Sequence, residues 1–102
     1  MNTIFVGDTM PLVVLWFLPS DTNQHQFEDA MVSRATVKLI RHAGRSLIID
    51  NEDADVDGNK TSYTIPRTIT QEAGIYSAYV TAEFNDGNVV TQKLEFEVRP
   101  KT

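Results

Sequence analysis

Apolar and polar residues alternate with a period of two through residues 75–98, with one short polar interruption. Successive side chains of a strand point to opposite faces, so this pattern predicts two strands that each have one buried face. The interruption is Asn85-Asp86-Gly87-Asn88, and an Asp-Gly pair supplies the positive φ angles of a tight turn. The segment therefore predicts a long β-hairpin. Its apolar positions are Tyr76, Ala78, Val80, Ala82 and Phe84, then Val90, Leu94, Phe96 and Val98.

A second apolar segment, residues 10–18, is hydrophobic on both of its predicted faces. It is too short for a membrane span, which needs about 20 residues, and it lacks the basic start of a signal peptide. We predict a strand over residues 12–18, covered once by its own core and once by a second layer or a partner. One row of this strand, and our predicted interface, is Leu12, Val14, Trp16 and Leu18, and the other row is Val13, Leu15 and Phe17.

The rest of the chain predicts further short strands joined by turns. Together with the hairpin and the apolar segment they make about seven antiparallel strands, at the spacing of about 8–12 residues that is typical of a β-sandwich. Residues 20–34 form a long polar connection, a kind of loop that is often functional. We predict one all-β domain over residues 1–102. The further strands are expected at residues 2–6, 35–42, 46–50 and 60–66. Their expected interior residues are Val37, Leu39, Ile49, Tyr63 and Ile65.

Composition narrows the classes of function. The chain has 102 residues, of which 41% are hydrophobic, and a net charge of −5. An acidic balance argues against sequence-independent nucleic-acid binding, which needs clustered Lys and Arg. The absence of cysteine excludes disulfides, thiolate zinc sites and a cysteine nucleophile. It also fits synthesis in a reducing cytoplasm.

Two charged segments of opposite sign follow each other. The positive segment includes Arg41 and Arg45, and the negative one, predicted as an acidic loop over residues 51–57, includes Asp53 and Asp55. Complementary charges orient partner surfaces, so these four residues are candidates for contacts between subunits. The alternative is a solvated hairpin with weak surface ion pairs.

The acidic segment also resembles half of a calcium loop. Asp53, Asp55 and Asp57 with Gly58 match its first carboxylates and its glycine. The position that should hold a bidentate Glu is Thr64, however, and no amphipathic helices flank the segment. The favoured interpretation is a solvated acidic loop that closes in an Asp-Gly turn, so we predict no metal and no cofactor.

Catalytic motifs are missing from the sequence. His25 and His42 are the only histidines and are not at metal-ligand spacing, and no serine lies in a Gly-x-Ser-x-Gly motif. We expect no enzymatic activity and no small-molecule substrate. A serine–histidine site that folding brings together stays open.

The segment before the hairpin carries a more specific motif. Gly74 permits a sharp turn into a strand, and Tyr76 then points inward, where its hydroxyl can bond the preceding connector. This is the tyrosine corner of immunoglobulin-like domains. Ala78 stands where antibody domains have their second cysteine. The core must therefore be held by packing, and Trp16 is the predicted centre.

The order of these motifs along the chain resembles the immunoglobulin-like domain at the start of baseplate upper proteins of tailed bacteriophages and related short virion proteins. The resemblance implies an immunoglobulin-like β-sandwich with no catalytic residues. It also implies a structural protein of the virion, made in the host cytoplasm, whose partners are other virion proteins and copies of itself.

Two alternatives to a tail or baseplate position remain. In baseplate proteins the domain precedes a stalk and further modules, whereas we expect this protein to consist of the domain alone, so a capsid decoration or neck protein stays open. An adhesion or carbohydrate-binding module uses the same fold, and Tyr79 is its candidate exposed aromatic. We expect no nucleic acid and no membrane among the partners.

Overall fold

The computed structural model describes residues 2–16 and 31–101, which form eight strands in two sheets. The five-stranded sheet has the order β1-β8-β7-β3-β4, and the three-stranded sheet has the order β2-β6-β5. A 3-10 turn, Ala43–Arg45, joins β3 to β4. The predicted all-β sandwich is confirmed. The strands are β1 Asn2–Phe5, β2 Met10–Leu15, β3 Val32–Arg41, β4 Ser46–Asp53, β5 Asp55–Asp57, β6 Lys60–Ile65, β7 Gly74–Phe84 and β8 Val89–Arg99.

The hairpin of β7 and β8 forms as the alternation predicts. The two strands pair without interruption from Gly74 opposite Val98 to Glu83 opposite Val89. At the tip, the Asn88 N–H donates to the Asp86 carboxylate at 2.9 Å, and Gly87 has a φ of 92°. Local periodicity and turn chemistry therefore determine this hairpin.

The core lies between the two sheets and is centred on Trp16. Its indole ring packs edge-to-face on Phe84, with ring centroids 6.0 Å apart. Its Nε1–H donates to the Thr61 hydroxyl at 2.9 Å, and both residues are buried. Of the interior positions that the sequence indicates, Tyr63 and Leu94 are partly exposed at the border of the core, and Val90 of the hairpin is 39% exposed. The others are buried, namely Trp16, Val37, Leu39, Ile49, Ile65, Tyr76, Ala78, Val80, Ala82, Phe84, Phe96 and Val98.

The first strand corrects the prediction of a purely antiparallel fold. β1 pairs with β8 in parallel, with Asn2 opposite Phe96 and Phe5 opposite Arg99. The chain then leaves this sheet, and β2 lies in the other one. Strand direction at this edge depends on a pairing between the two ends of the chain, which local alternation does not encode.

The acidic segment is a second correction, because it forms strands where we expected a loop. β4 continues through Asp53, and the Ala54 N–H then donates to the Ala35 carbonyl at 2.9 Å. β5 follows in the other sheet, with Val56 opposite Thr61. The segment thus carries the chain from one sheet to the other. Its polarity suggested a loop, but the acidic side chains face solvent while Val56 packs on the core.

The tyrosine corner is present. The Tyr76 hydroxyl donates to the Glu72 carbonyl at 2.8 Å, and the residue is only 1% exposed. Its ring stacks on Phe96 with centroids 5.2 Å apart. Gly74, with a φ of 148°, makes the turn into β7. The corner ties the connector after β6 to the core.

We expect Tyr76→Phe to lower the free energy of unfolding by about 1 kcal/mol, because it removes one hydrogen bond and keeps the ring stacking. Urea denaturation followed by circular dichroism measures the change. Tyr79→Phe is the matched control, since Tyr79 lies partly exposed on the outer face of the same strand. Equal stability of the wild type and Tyr76→Phe would show that the corner bond contributes nothing.

Candidate interaction surfaces

The two apolar rows of β2 have opposite environments. Leu12, Val14 and Trp16 are 4%, 4% and 3% exposed. Our prediction that these three form an interface is therefore wrong, because their side chains fill the sandwich core. The outward row holds Val13 and Leu15, which are 57% and 53% exposed. The sequence presented two similar rows, and packing against the five-stranded sheet selected one of them.

Some predicted features lie outside the described residues. The interface residue Leu18 is among them, as are Phe17, His25 and residues 20–30 of the long polar connection. Residues 32–34 of that connection belong to β3. Strand β2 itself begins at Met10, two residues before the predicted start.

One edge of β2 is open among the residues that the structure describes. Its neighbour on the other edge is β6, where the Trp16 N–H donates to the Asn59 carbonyl at 2.9 Å. Main-chain groups alternate in direction along an antiparallel strand, so those of Pro11, Val13 and Leu15 point to the open edge. Pro11 suits this position, because proline has no N–H and is confined to edge strands in sheets. These three residues form the outward row of β2, and they present both side chains and main-chain groups.

The predicted charged contacts are partly satisfied within the chain. Arg41 forms an ion pair with Glu72 of the tyrosine-corner connector. The side chains of Arg34 and Asp53 meet at 3.5 Å, and both are largely exposed. A pair of this kind contributes about 0–1 kcal/mol. One of these pairs, Arg34 with Asp53, joins the two charged segments, and the other pairs Arg41 with Glu72, which lies outside them. Both weaken the prediction that these charges contact another subunit.

The other two predicted contact residues keep exposed side chains. Arg45 lies in the 3-10 turn with a φ of 50°, and Asp55 lies on the outer face of β5. The 3-10 turn joins β3 and β4 of the five-stranded sheet, whereas β5 belongs to the three-stranded sheet. The structure thus does not gather the four charged candidates into one surface.

The carboxylates of the half calcium loop are not brought together. Within residues 2–16 and 31–101, no group of three His, Asp or Glu side chains is arranged to hold a metal ion. Asp53 ends β4, while Asp55 and Asp57 lie on β5, which is paired with β6. Calcium loops wrap their carboxylates around the ion, and an extended paired strand cannot do so. The residues present do not fit a calcium site of this type.

The outer face of the five-stranded sheet carries an open hollow of about 480 Å³. His42 Nε2 lies 2.7 Å from the Ser77 hydroxyl oxygen inside it. Lys93 at its border pairs with Glu95 at 3.0 Å. Folding therefore brings a serine and a histidine together, as the sequence left open. The hollow is lined by Ile40, His42, Arg45, Ser77, Tyr79 and Lys93.

The contact between His42 and Ser77 has the features of a structural bond. Ser77 is only 2% exposed, so its hydroxyl is covered by its neighbours. A nucleophile also needs a base that a third group orients. In the described part of the chain, no hydrogen bond joins a carboxylate to the other ring nitrogen of His42. The imidazole satisfies a buried hydroxyl on an otherwise polar sheet face.

The fold changes the ionisation of Tyr63. Its hydroxyl donates to the Glu52 carboxylate across the gap between β6 and β4. Burial, with the hydrogen bond and the negative charge of Glu52, raises the pKa of Tyr63 to about 12. The contact links the two sheets close to the point where the acidic segment passes from β4 to β5.

We therefore expect Tyr63 to titrate after an ordinary tyrosine. An unfolded tyrosine has a pKa of about 10, so the stability from this shift is fully present below that pH and is lost towards pH 12. Absorbance at alkaline pH follows the ionisation, and Tyr63→Phe should remove a tyrosine transition near pH 12. Persistence of that transition in the variant would contradict the proposed contact.

No protein-family model and no curated protein sequence matches the chain. Among solved structures it is similar to CopC from Methylosinus trichosporium OB3b, with a TM-score of 0.66, 12% identity, and coverage of 99% of this chain and 85% of that one. Murine CRIg, which is immunoglobulin-like, gives a TM-score of 0.51 with 15% identity over 98% of this chain and 91% of CRIg. The chain has an immunoglobulin-like β-sandwich fold.

A third similar structure is a family 123 glycoside hydrolase from Clostridium perfringens. The TM-score is 0.56 at 14% identity, and the match covers 97% of this chain but 22% of the hydrolase. At such identities the similarity concerns the fold alone. No helix in the described ranges is long and apolar enough to cross a membrane.

Proposed function

We propose that this protein is a non-enzymatic assembly module, and specifically a structural component of a tailed-phage particle. The observation that carries the proposal is the outward row of β2, where Val13 and Leu15 are more than half exposed beside an edge that no other described strand covers. Edges of this kind invite pairing with another chain. Such an edge is expected in a protein that functions by binding other proteins.

The arrangement of the other polar groups supports binding over catalysis. The buried polar side chains Thr61, Thr70 and Ser77 each have a hydrogen-bond partner. Catalytic sites, by contrast, keep reactive groups accessible and shift their pKa values strongly. The raised pKa of Tyr63 arises in a contact between the sheets.

The phage assignment is supported by the order of motifs that resembles phage virion domains. Those motifs include the tyrosine corner at Tyr76 and the closing hairpin with its Asp86-Gly87 turn. We place the protein in the tail or baseplate region of the virion after synthesis in the host cytoplasm. A capsid decoration or neck protein is the alternative within this class.

An adhesion or carbohydrate-binding module is the second candidate function. Tyr79 is partly exposed in the hollow on the outer face of the five-stranded sheet, next to Ile40 and Lys93. Aromatic rings beside polar groups are typical of ligand sites. Binding to a panel of glycans, lost in Tyr79→Ala and kept in Val13→Ala, would favour this function over assembly.

Peptide mass spectrometry of purified phage particles tests the proposed function. Particles released from the source culture are purified on a density gradient, and whole particles, tails and capsids are analysed separately. We expect peptides of this chain in whole particles and in the tail fraction. Recovery with capsids would support the decoration or neck alternative. Absence from all particles while the host lysate contains the chain would reject a virion role.

A further inference from the structure

We propose that the open edge of β2 pairs with the β2 edge of a second copy, antiparallel and about a two-fold axis at Val13. This inference rests on the proposed function, because a virion component is assembled in many copies. It specifies which surface forms the contact and which residues face each other.

Residues 2–16 and 31–101 give the sandwich four edge strands, which differ in how they are protected. β1 is four residues long, and its Phe5 N–H is taken by the Asp8 carboxylate at 3.0 Å. β4 carries Asp50, Glu52 and Asp53, and β5 is three residues long with two aspartates. Short length, charge and proline are among the usual protections against edge-to-edge pairing. Short length or charge is present on β1, β4 and β5.

Strand β2 has neither short length nor charge, and its one such protection is Pro11, which removes a single edge N–H. It is six residues long, MPLVVL, and carries no charge. Val13 and Leu15 offer both an N–H and a carbonyl to the open edge, while Pro11 offers a carbonyl. An added strand can therefore form main-chain hydrogen bonds along most of its length.

The chemistry of the row indicates a second copy as the occupant. Pro11, Val13 and Leu15 are all apolar. When a second copy of this row is placed antiparallel to the first, apolar residues therefore face each other at every position, and no charge is left unpaired. With the two-fold axis at Val13, each Val13 exchanges both main-chain bonds with its counterpart, and each Leu15 N–H faces a Pro11 carbonyl. Such isologous contacts are the commonest in homo-oligomers. The pairing joins two three-stranded sheets into one continuous sheet.

Cysteine cross-linking tests the register directly, because the chain has no cysteine of its own. Directly opposed residues in an antiparallel pair lie about 5 Å apart, so Val13→Cys should give a covalent dimer with a short bismaleimide. Leu15 and its counterpart would lie four residues apart along the strand, or roughly 13 Å. Leu15→Cys should therefore cross-link at least fivefold less. Cross-linking of Leu15→Cys without Val13→Cys would overturn the proposed register.

Sedimentation velocity on the intact chain tests the contact without a reagent. We expect the wild type to dimerise as its concentration rises and Val13→Lys to need at least tenfold higher concentration, with an unchanged circular dichroism spectrum. Leu47→Lys is the matched control, since Leu47 is 50% exposed on β4 of the other sheet. A monomeric wild type at millimolar concentration would overturn the pairing, as would equal weakening by both substitutions.

The two proposals can fail separately. A monomeric chain that is nevertheless found in phage particles would reject the β2 pairing and keep the virion role. A chain that dimerises through Val13 but is absent from particles would reject the virion role and keep the pairing.

Discussion

Leu12→Lys is expected to unfold the protein, whereas Val13→Lys leaves it folded. Leu12 is 4% exposed and Val13 is 57% exposed, although they are adjacent in one strand. An unpaired ammonium group in the core costs several kcal/mol. That is comparable with the total stability of about 5–15 kcal/mol for a domain. At Val13 the same side chain reaches water.

Far-UV circular dichroism and urea denaturation of the two variants measure this difference. We expect no cooperative transition for Leu12→Lys and a change within about 0.5 kcal/mol for Val13→Lys. Val14→Lys and Leu15→Lys extend the comparison, because Val14 is 4% exposed and Leu15 is 53% exposed. If Val13→Lys unfolded the protein and Leu12→Lys did not, the inward row would have been assigned to the wrong face.

The second large effect is expected for Trp16→Ala, which should lower the free energy of unfolding by about 4 kcal/mol. The substitution leaves a cavity beside Phe84. It also removes the N–H that donates to the hydroxyl of Thr61, a residue that is only 1% exposed. Without a disulfide between the sheets, this packing has no covalent substitute. Guanidinium denaturation followed by tyrosine fluorescence gives the difference.

Two control variants separate the packing of Trp16 from its hydrogen bond. Thr61→Val keeps the volume and leaves the indole N–H without its acceptor, so about 1–3 kcal/mol should be lost. Val13→Ala shortens an exposed side chain on the same strand and should change little. A loss below about 1 kcal/mol in Trp16→Ala would show that the tryptophan is not the centre of the core.

The local features of the fold were predictable from the sequence. The hairpin follows from alternation through residues 75–98 and from the turn at Asp86-Gly87, and both signals involve residues close in the chain. The tyrosine corner is equally local, since Tyr76 bonds the carbonyl of Glu72, four residues earlier. Short-range interactions of this type need no knowledge of the rest of the fold.

The candidate surface was predicted only in part. The sequence indicated the right strand, because a strand apolar on both faces needs two covers. It indicated the wrong row, since the row with Leu12 and the row with Val13 are similarly hydrophobic. The contacts of Arg34 with Asp53 and of Arg41 with Glu72 were also missed, because the partners lie 19 and 31 residues apart.

By itself, the sequence determined the all-β class, the hairpin, the corner and most of the core, because alternation and turn residues act over a few neighbouring positions. Only the tertiary structure decided the parallel pairing of β1 with β8, the formation of strands by the acidic segment, and which row of β2 faces outward. These three features depend on which distant segments pack together. Burial against a distant sheet distinguishes two rows that are similarly hydrophobic, and the exposed row is the surface that remains for a partner.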